Sequence, residues 1–320
     1  MGNPAGRTEI RVNKDLIVVV LMGGWSAERE VSLMSGKGVV AALEERGWKN
    51  VTALDMDRDI AAKLAELRPD VVFNALHGTP GEDGSVQGLM DIMGIRYTHS
   101  GVTTSAVAID KQLTKAVLEP HGIPMPPGKV VESASLFEGD PLPRPFVLKP
   151  VNEGSSVGIA IVTEDSNVGH PISAKAEGPW QKFDRLLAET FIEGRELTVS
   201  VLGEEAFCVT ELKPKAGFYD YEAKYTDGKT DHICPAHIPD DVAEAMKAHA
   251  VEAHRILGCK GVSRSDFRWD DEKGMDGIFL LETNTQPGMT PLSLVPEQAR
   301  AIGMSYGELV EKIIAEALSR

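Results

Sequence analysis

The chain has 320 residues, 42% hydrophobic and 25% charged, the proportions of an ordinary soluble protein too long for one small core, so two or three domains are expected. A formal net charge of −15 argues against a nucleic-acid or anionic-membrane surface as the main partner, although local cations still hold small anions. The cysteines, Cys208, Cys234 and Cys259, form no CxxC pair and are odd in number, which disfavours a zinc site or a disulfide framework and suggests free thiols in a reducing cytoplasm.

Residues 16–22 (LIVVVLM) follow a polar, basic start and run straight into Gly-Gly. Such a run is too short to cross a bilayer and lacks a small-residue cleavage site, so it is expected as a buried parallel strand behind a loose tail at 1–14. A helix over about 30–46, a strand at 51–54, a helix near 59–67 and a strand at 71–76 continue an alternation that implies a parallel α/β sheet. Pro-rich stretches at 121–128 (HGIPMPPG) and 139–145 (GDPLPRP) mark linkers or domain seams. From Phe146 the pattern changes to strands in quick succession, at 146–149, 158–162, 186–192, 196–202 and 206–212, which predicts an antiparallel, strand-rich region. Residues 213–238 are polar, aromatic and irregular, as in an active-site cover. A helix over about 239–257, strands at 262–269 and 277–283, and a helix around 305–318 complete the chain.

Four stretches carry chemistry. In LLETNTQPG an apolar strand ends in Glu282 and Asn284, two residues apart and therefore on one face, which either holds a hard divalent cation or is a strand running out into a polar turn. KPVNEGSSVG (149–158) sets a strand-end lysine before small and glycine residues whose N–H groups can turn toward a phosphate; a plain hairpin turn is the alternative. It is no Walker A motif, and GGWSAE is no GxGxxG. VSRSDFRW (262–269) places Arg264 and Asp266 on one strand face, matched by Glu282 and Asn284 on the strand expected to pair with it. In LLAETFIEGRE the buried Glu189 needs partners, such as a ribose hydroxyl or an adenine amine with Phe191 and Ile192 sandwiching the base, unless it lies on a solvated edge strand. A lysine-and-glycine cradle beside a carboxylate-carboxamide cluster implies Mg²⁺-nucleotide binding more strongly than either alone.

The motifs GGWSAEREVSLMSG (23–36), LHGTPGEDGSVQG (76–88), DK (110–111), KPVNEGSSVG (149–158), ETFIEGRELTV (189–199), FYDYEAKY (218–225), RSD (264–266) and LLETNTQPGMTPLSLVPEQA (280–299) occur in an order that resembles the D-alanine–D-alanine ligases of the ATP-grasp superfamily, from about residue 17 onward. The resemblance implies an α/β fold, α+β in its central part. It further implies a three-domain ATP-grasp architecture: an N-terminal parallel α/β domain (1–109) and two strand-rich domains, 110–200 and 201–320, clasping ATP, the last with the lid 213–238. It implies ATP as co-substrate, two Mg²⁺ with Mn²⁺ as a substitute held by Asp266, Glu282 and Asn284, and ATP contacts from Lys111, Lys149, Glu189, Phe191, Ile192, Glu196 and Lys224. Glu28 is expected on the first D-alanine's ammonium, with Arg264 and the Gly288 N–H as oxyanion donors. Ser293 and Leu294 are expected at the second carboxylate, and His77 near the attacking amine. Glu28, Ser155 and Tyr225 are expected to tie the N-terminal domain, the phosphate loop and the lid together. A homodimer in the cytoplasm, with no nucleic-acid or membrane partner, completes the expectation. Gln286, Pro291 and Leu292 lie where members vary, which leaves fine selectivity open.

The alternatives are a relative making a D-alanine–D-lactate ester or a mixed dipeptide, a nucleotide-binding regulator on the same scaffold, and a Rossmann-like oxidoreductase suggested by residues 16–76 alone. Competent side chains at the expected positions weigh against the regulator, and the missing GxGxxG weighs against the oxidoreductase.

Overall fold

The computed structural model describes residues 12–152, 154, 158–166, 172, 178–215 and 230–320. Strand β1 (Ile17–Gly23) lies between β2 (Asn50–Met56) and β3 (Val71–Asn74), both parallel to it, in the order β2-β1-β3. Period-2 alternation sends successive β1 residues to opposite faces. Val18, Val20 and Met22 pack with Val39 and Leu43 of α1 (Arg29–Glu45), while Val19 and Leu21 pack with Ile60 and Leu64 of α2 (Ile60–Leu67). Both faces are covered, which is why β1 reads as an unbroken apolar run. Gly36 lets α1 lie against β1, since a Cβ there would come within 2.6 Å of Met22 Cβ.

Three more helices follow: α3 (Ser85–Met93), α4 (Val102–Ile109) and α5 (Lys111–Leu118). Asp110 ends α4 in extended conformation and caps α5, its side chain accepting from Leu113 N at 2.9 Å. Such a cap satisfies one of the free N–H groups of the first turn.

The region expected to be antiparallel contains two antiparallel sheets. One has the order β4-β7-β5-β6, from β4 (Gly128–Glu132), β5 (Phe146–Pro150), β6 (Ala160–Val162) and β7 (Arg185–Thr190). The other has the order β10-β9-β8-β11-β12, from β8 (Arg195–Leu202), β9 (Glu205–Pro214), β10 (Thr230–Ile233), β11 (Val262–Trp269) and β12 (Ile278–Asn284). Helix α6 (Asp240–Leu257) packs Val242, Met246 and Ala250 against Leu197, Val199 and Val209 of this sheet. Lys213, Pro214 and residues 230–233, expected inside the irregular cover, are strand instead: Thr230 pairs with Pro214, Asp231 with Lys213 and Ile233 with Glu211.

Helices α7 (Leu294–Ala301) and α8 (Tyr306–Leu318) end the chain, and α8 buries Leu309, Val310, Ile313 and Ile314 in the same core as Val18, Val20 and Phe73. Glu311 of α8 accepts from Arg46 Nε at 2.6 Å and from Trp48 Nε1 at 3.0 Å. Residues 12–14 are not loose: Val12 packs on this core and Lys14 Nζ donates to Arg46 O at 2.6 Å. Truncating Phe73, fully buried here, to alanine would cost about 3–5 kcal/mol.

Candidate active site

The paired ends of β11 and β12 bring the expected cluster together. Arg264 stands opposite Asn284 and Asp266 opposite Glu282, and since directly opposed residues share a face, all four belong to one face. Asp266 is buried; its Oδ1 accepts from Thr198 Oγ1 at 2.6 Å and from Arg264 Nε at 2.8 Å, and its Oδ2 from Arg264 Nη2 at 2.7 Å. Asn284 Oδ1 accepts from Gln286 N at 2.8 Å, which fixes the turn after the strand. Lys111, the first residue of α5, reaches to 3.9 Å from Glu282 Oε2, while its own N–H donates to Val151 O at 2.8 Å. That bond joins the DK step to the end of β5.

Among the described residues no cluster of three or more His, Cys, Asp or Glu side chains is arranged to hold a metal. The candidate set is two carboxylates and a carboxamide, all hard oxygen donors, which suits Mg²⁺ when substrate phosphates complete the shell. Asp266 Oδ1 already accepts two bonds, but Glu282, met by Lys111 at 3.9 Å, and Asn284 Oδ1, which accepts from Gln286 N, supply further hard oxygens beside it, so the donor chemistry fits.

In the other antiparallel sheet, Lys149 on β5 and Glu189 on β7 form a buried ion pair at 2.7 Å, and Lys115 of α5 stands 3.1 Å from the other Glu189 oxygen. Burial alone would push the Glu189 carboxyl up, but Lys149 and Lys115 together hold it below the usual carboxylate range. Two lysines thus serve as partners of Glu189 within the chain, beside any that a nucleotide would add. Lys115, whose ammonium also donates to Pro126 O at 2.6 Å, was missed because its helix gives it no motif. Arg268 was missed too: it joins the expected adenine segment, donating to Ile192 O at 3.0 Å, lying 5.5 Å from the Phe191 ring centroid and 3.7 Å from Glu196 Oε2. Its place on the same strand face as Asp266 was the available signal.

Across from β12, the N-terminal sheet contributes a buried polar group. Glu28 immediately precedes α1 and is buried; Ser26 Oγ accepts from Glu28 N at 3.1 Å and donates to His77 O at 2.6 Å. His77 Nε2 lies 3.1 Å from Ser35 Oγ of α1 and Nδ1 lies 3.4 Å from Glu82 Oε1. Burial pushes the Glu82 carboxyl up, and the nearby Glu28 charge adds to this, against the opposing pull of His77. Glu82 is a site residue that the sequence reading quoted in LHGTPGEDG without assigning; its spacing five residues after His77 in a turn was the clue.

The segment 285–293 bridges the two halves. Gln286 is buried and its Nε2 donates to Asn74 O, while Asn74 Nδ2 donates back to Gln286 Oε1 at 3.3 Å. Met289 N donates to Ser35 Oγ at 3.3 Å and Met289 O accepts from Tyr306 at 2.5 Å. Gly288 lies so near Ser293 that a Cβ would stand 3.0 Å from Ser293 Oγ. Ser293 starts α7, with Thr290 N donating to its Oγ at 3.1 Å, and the Leu294 side chain packs on Leu212, so only its backbone is placed to meet a ligand. Ser155, Lys224 and Tyr225 lie outside the described residues.

Comparison with known proteins agrees with this geometry. Family models described as D-ala D-ala ligase N-terminus and D-ala D-ala ligase C-terminus match residues 55–100 and 117–315. A D-alanine–D-alanine ligase of Sphingopyxis alaskensis is 74% identical over 94% of this chain and 98% of its own length. One from Novosphingobium aromaticivorans is 71% identical over 95% of this chain and 96% of its own. Among solved structures, a Bacillus anthracis D-alanine–D-alanine ligase complexed with ATP superposes with a TM-score of 0.78 at 25% identity, covering 95% of this chain and 98% of that one. With both halves matched by family models and near full-length relatives at these identities, the chain belongs to the D-alanine–D-alanine ligase family.

Proposed function

We propose that this protein joins two D-alanine molecules at the expense of ATP, for peptidoglycan precursor synthesis. The observation that carries the reading is the single strand face on which Arg264, Asp266, Glu282 and Asn284 stand opposed, with Lys111 reaching Glu282 from the helix tied to the end of β5. Peptide formation in water is uphill. A carboxylate oxygen of the first D-alanine therefore attacks the γ-phosphorus of ATP, ADP leaves, and an acyl phosphate remains. The neutral amine of the second D-alanine then attacks the carbonyl carbon, and phosphate departs.

The chain's residues divide this work. Lys111 and Lys149, with Lys224, hold the phosphates, and Glu189, Phe191, Ile192 and Glu196 take the nucleoside. Glu28 holds the first ammonium. Arg264 and the Gly288 N–H receive the developing oxyanion, which is where fixed donors lower a barrier most. His77, backed by Glu82, stands for the proton of the attacking amine. Ser293 and the Leu294 N–H take the second carboxylate. Mg²⁺ or Mn²⁺, two ions held by Asp266, Glu282 and Asn284, would neutralise phosphate charge when bound. Ser155 and Tyr225 complete the link from Glu28 to the cover that keeps water from the acyl phosphate.

The sheets support dividing the chain near 109/110; the pairing of β8 with β9 and β11 supports a second border ahead of Arg195 rather than at 200/201. A homodimer and a cytoplasmic location belong to the same reading, and no helix among the described residues is long and apolar enough to cross a membrane. Phosphate release from ATP, measured with D-alanine, L-alanine, D-lactate or no acceptor, tests it. Release dependent on D-alanine with dipeptide as product is expected; release without D-alanine, or ester as the main product when D-alanine and D-lactate compete at pH 7.5, overturns it.

A further inference from the structure

Two of the three cysteines meet outside the site described above. Cys208 sits on β9 and Cys234 directly follows β10, and their sulfur atoms are 3.4 Å apart without a bond between them. Beside them a cavity of about 370 Å³, lined by Cys208, Val209, Pro235 and Ala236 among others, reaches the Cys208 side of the pair. Cys259 is buried elsewhere, against α6, its thiol pushed up to about 12 mainly by burial.

We propose that Cys208 and Cys234 are a dithiol that a peroxide converts to a disulfide, a modification site between the two strands that flank the segment carrying Lys224 and Tyr225. The sulfurs need to close by only ~1.4 Å to reach bonding distance, within the reach of side-chain rotation on two adjacent strands. The hydrogen bond between the thiols favours Cys234 as the thiolate, holding it below the ordinary thiol value while Cys208 is held above it. Thiolate character and exposure decide which sulfur reacts first, and Cys234 is the more exposed of the two.

The chemistry balances in two steps. The Cys234 thiolate attacks one oxygen of hydrogen peroxide, the O–O bond breaks, and the departing hydroxide takes up the proton that Cys234 released, giving water and a sulfenic acid. The Cys208 sulfur, losing its proton, attacks the Cys234 sulfur; the S–O bond breaks and the hydroxide leaves with that proton as a second water. Peroxide gains two electrons and the two thiols lose them. The product closes a covalent ring from residue 208 to residue 234, a span of 26 positions.

The test uses the full-length protein treated with equimolar hydrogen peroxide, followed by thiol counting under denaturing conditions, intact mass and peptide mapping. Free thiols are expected to fall from three to one, the mass to drop by two hydrogens, and the peptides containing Cys208 and Cys234 to be linked until dithiothreitol is added. In Cys208→Ser the cross-link is absent and a sulfenic acid at Cys234 is trapped by dimedone. Three free thiols after treatment, oxidation falling first on Cys259, or a disulfide between two chains instead of within one would each overturn the proposal.

Discussion

Around His77 the buried polar groups are tied mostly by uncharged hydrogen bonds, to Ser26, Ser35 and, through Asn74, to Gln286, whereas at the ends of β11 and β12 and where α5 meets β5 and β7 they are tied by ion pairs. A neutral network keeps its geometry whatever the charge of the ligand. An ionic one has already removed its cations from water, so an arriving phosphate exchanges one anionic partner for another at a small desolvation cost. The first half is held mainly by neutral bonds and the second by ion pairs.

The largest effect should come from the ionic half. Asp266→Asn or Glu282→Gln should lower turnover by about 10²-fold or more while the thermal transition persists, because charge is lost where it is needed in the transition state. Near-normal kcat at saturating Mg²⁺ would break the contrast. Lys149 and Lys115 then separate phosphate handling from scaffolding, although both pair with Glu189. Lys149→Met should raise the KM for ATP by at least tenfold. Lys115→Met should instead lower stability by about 1–3 kcal/mol in a denaturant titration, leaving that KM within about twofold. Equal KM changes in both variants would mean that the two lysines share one role.

In the neutral half, Gln286→Leu leaves the backbone oxygen of Asn74 without its donor, and a loss of about 1–3 kcal/mol is expected from the unfolding midpoint. Because Gln286 precedes Gly288 by two residues, kcat should fall more than the KM for ATP changes. The smallest effect concerns His99, fully buried with a positive φ of 69, whose imidazole burial pushes down to about 3. A depressed histidine contributes stability that is complete above its unfolded value of 6.5 and is lost as pH falls from there toward about 3. His99→Asn, a side chain that tolerates this backbone, should reduce proton uptake on unfolding at pH 5 by about one, seen as a shallower fall of stability with acid of about 1.4 kcal/mol per pH unit.

Much of the fold was legible where burial is two-sided or strictly patterned: β1 as an apolar run, α1 by its periodicity, β11 and β12 with their paired candidate residues. β4 was not, because PPGKVVE has two prolines before it and mostly half-exposed or exposed residues within it, so the apolar signal is weak. Helix α7 was hidden behind Pro291 and Pro296, the latter tolerated because it falls in the first turn. Candidate residues that fall in a strong motif, such as Asp266 or Lys149, could be named directly. Lys115 and Gln286 reach from one element to another far along the chain, to Glu189 and Asn74, and no local pattern records such a contact, whereas Glu82 and Arg268 left only weak local signals.

The docking of α8 has a further consequence, for the order of synthesis. Arg46 and Glu311 are 265 positions apart, and the apolar face of the first sheet that carries Val18, Val20 and Phe73 is completed only by Leu309, Val310 and Ile313. At roughly 5–20 residues added per second, a ribosome leaves that face only partly covered, by α1, for tens of seconds after its strands have emerged. The amino-terminal sheet is therefore no autonomous first-folding unit: a nascent chain halted after β9 should remain protease-sensitive in residues 17–74 and bind a chaperone, until the last helix arrives to shield it.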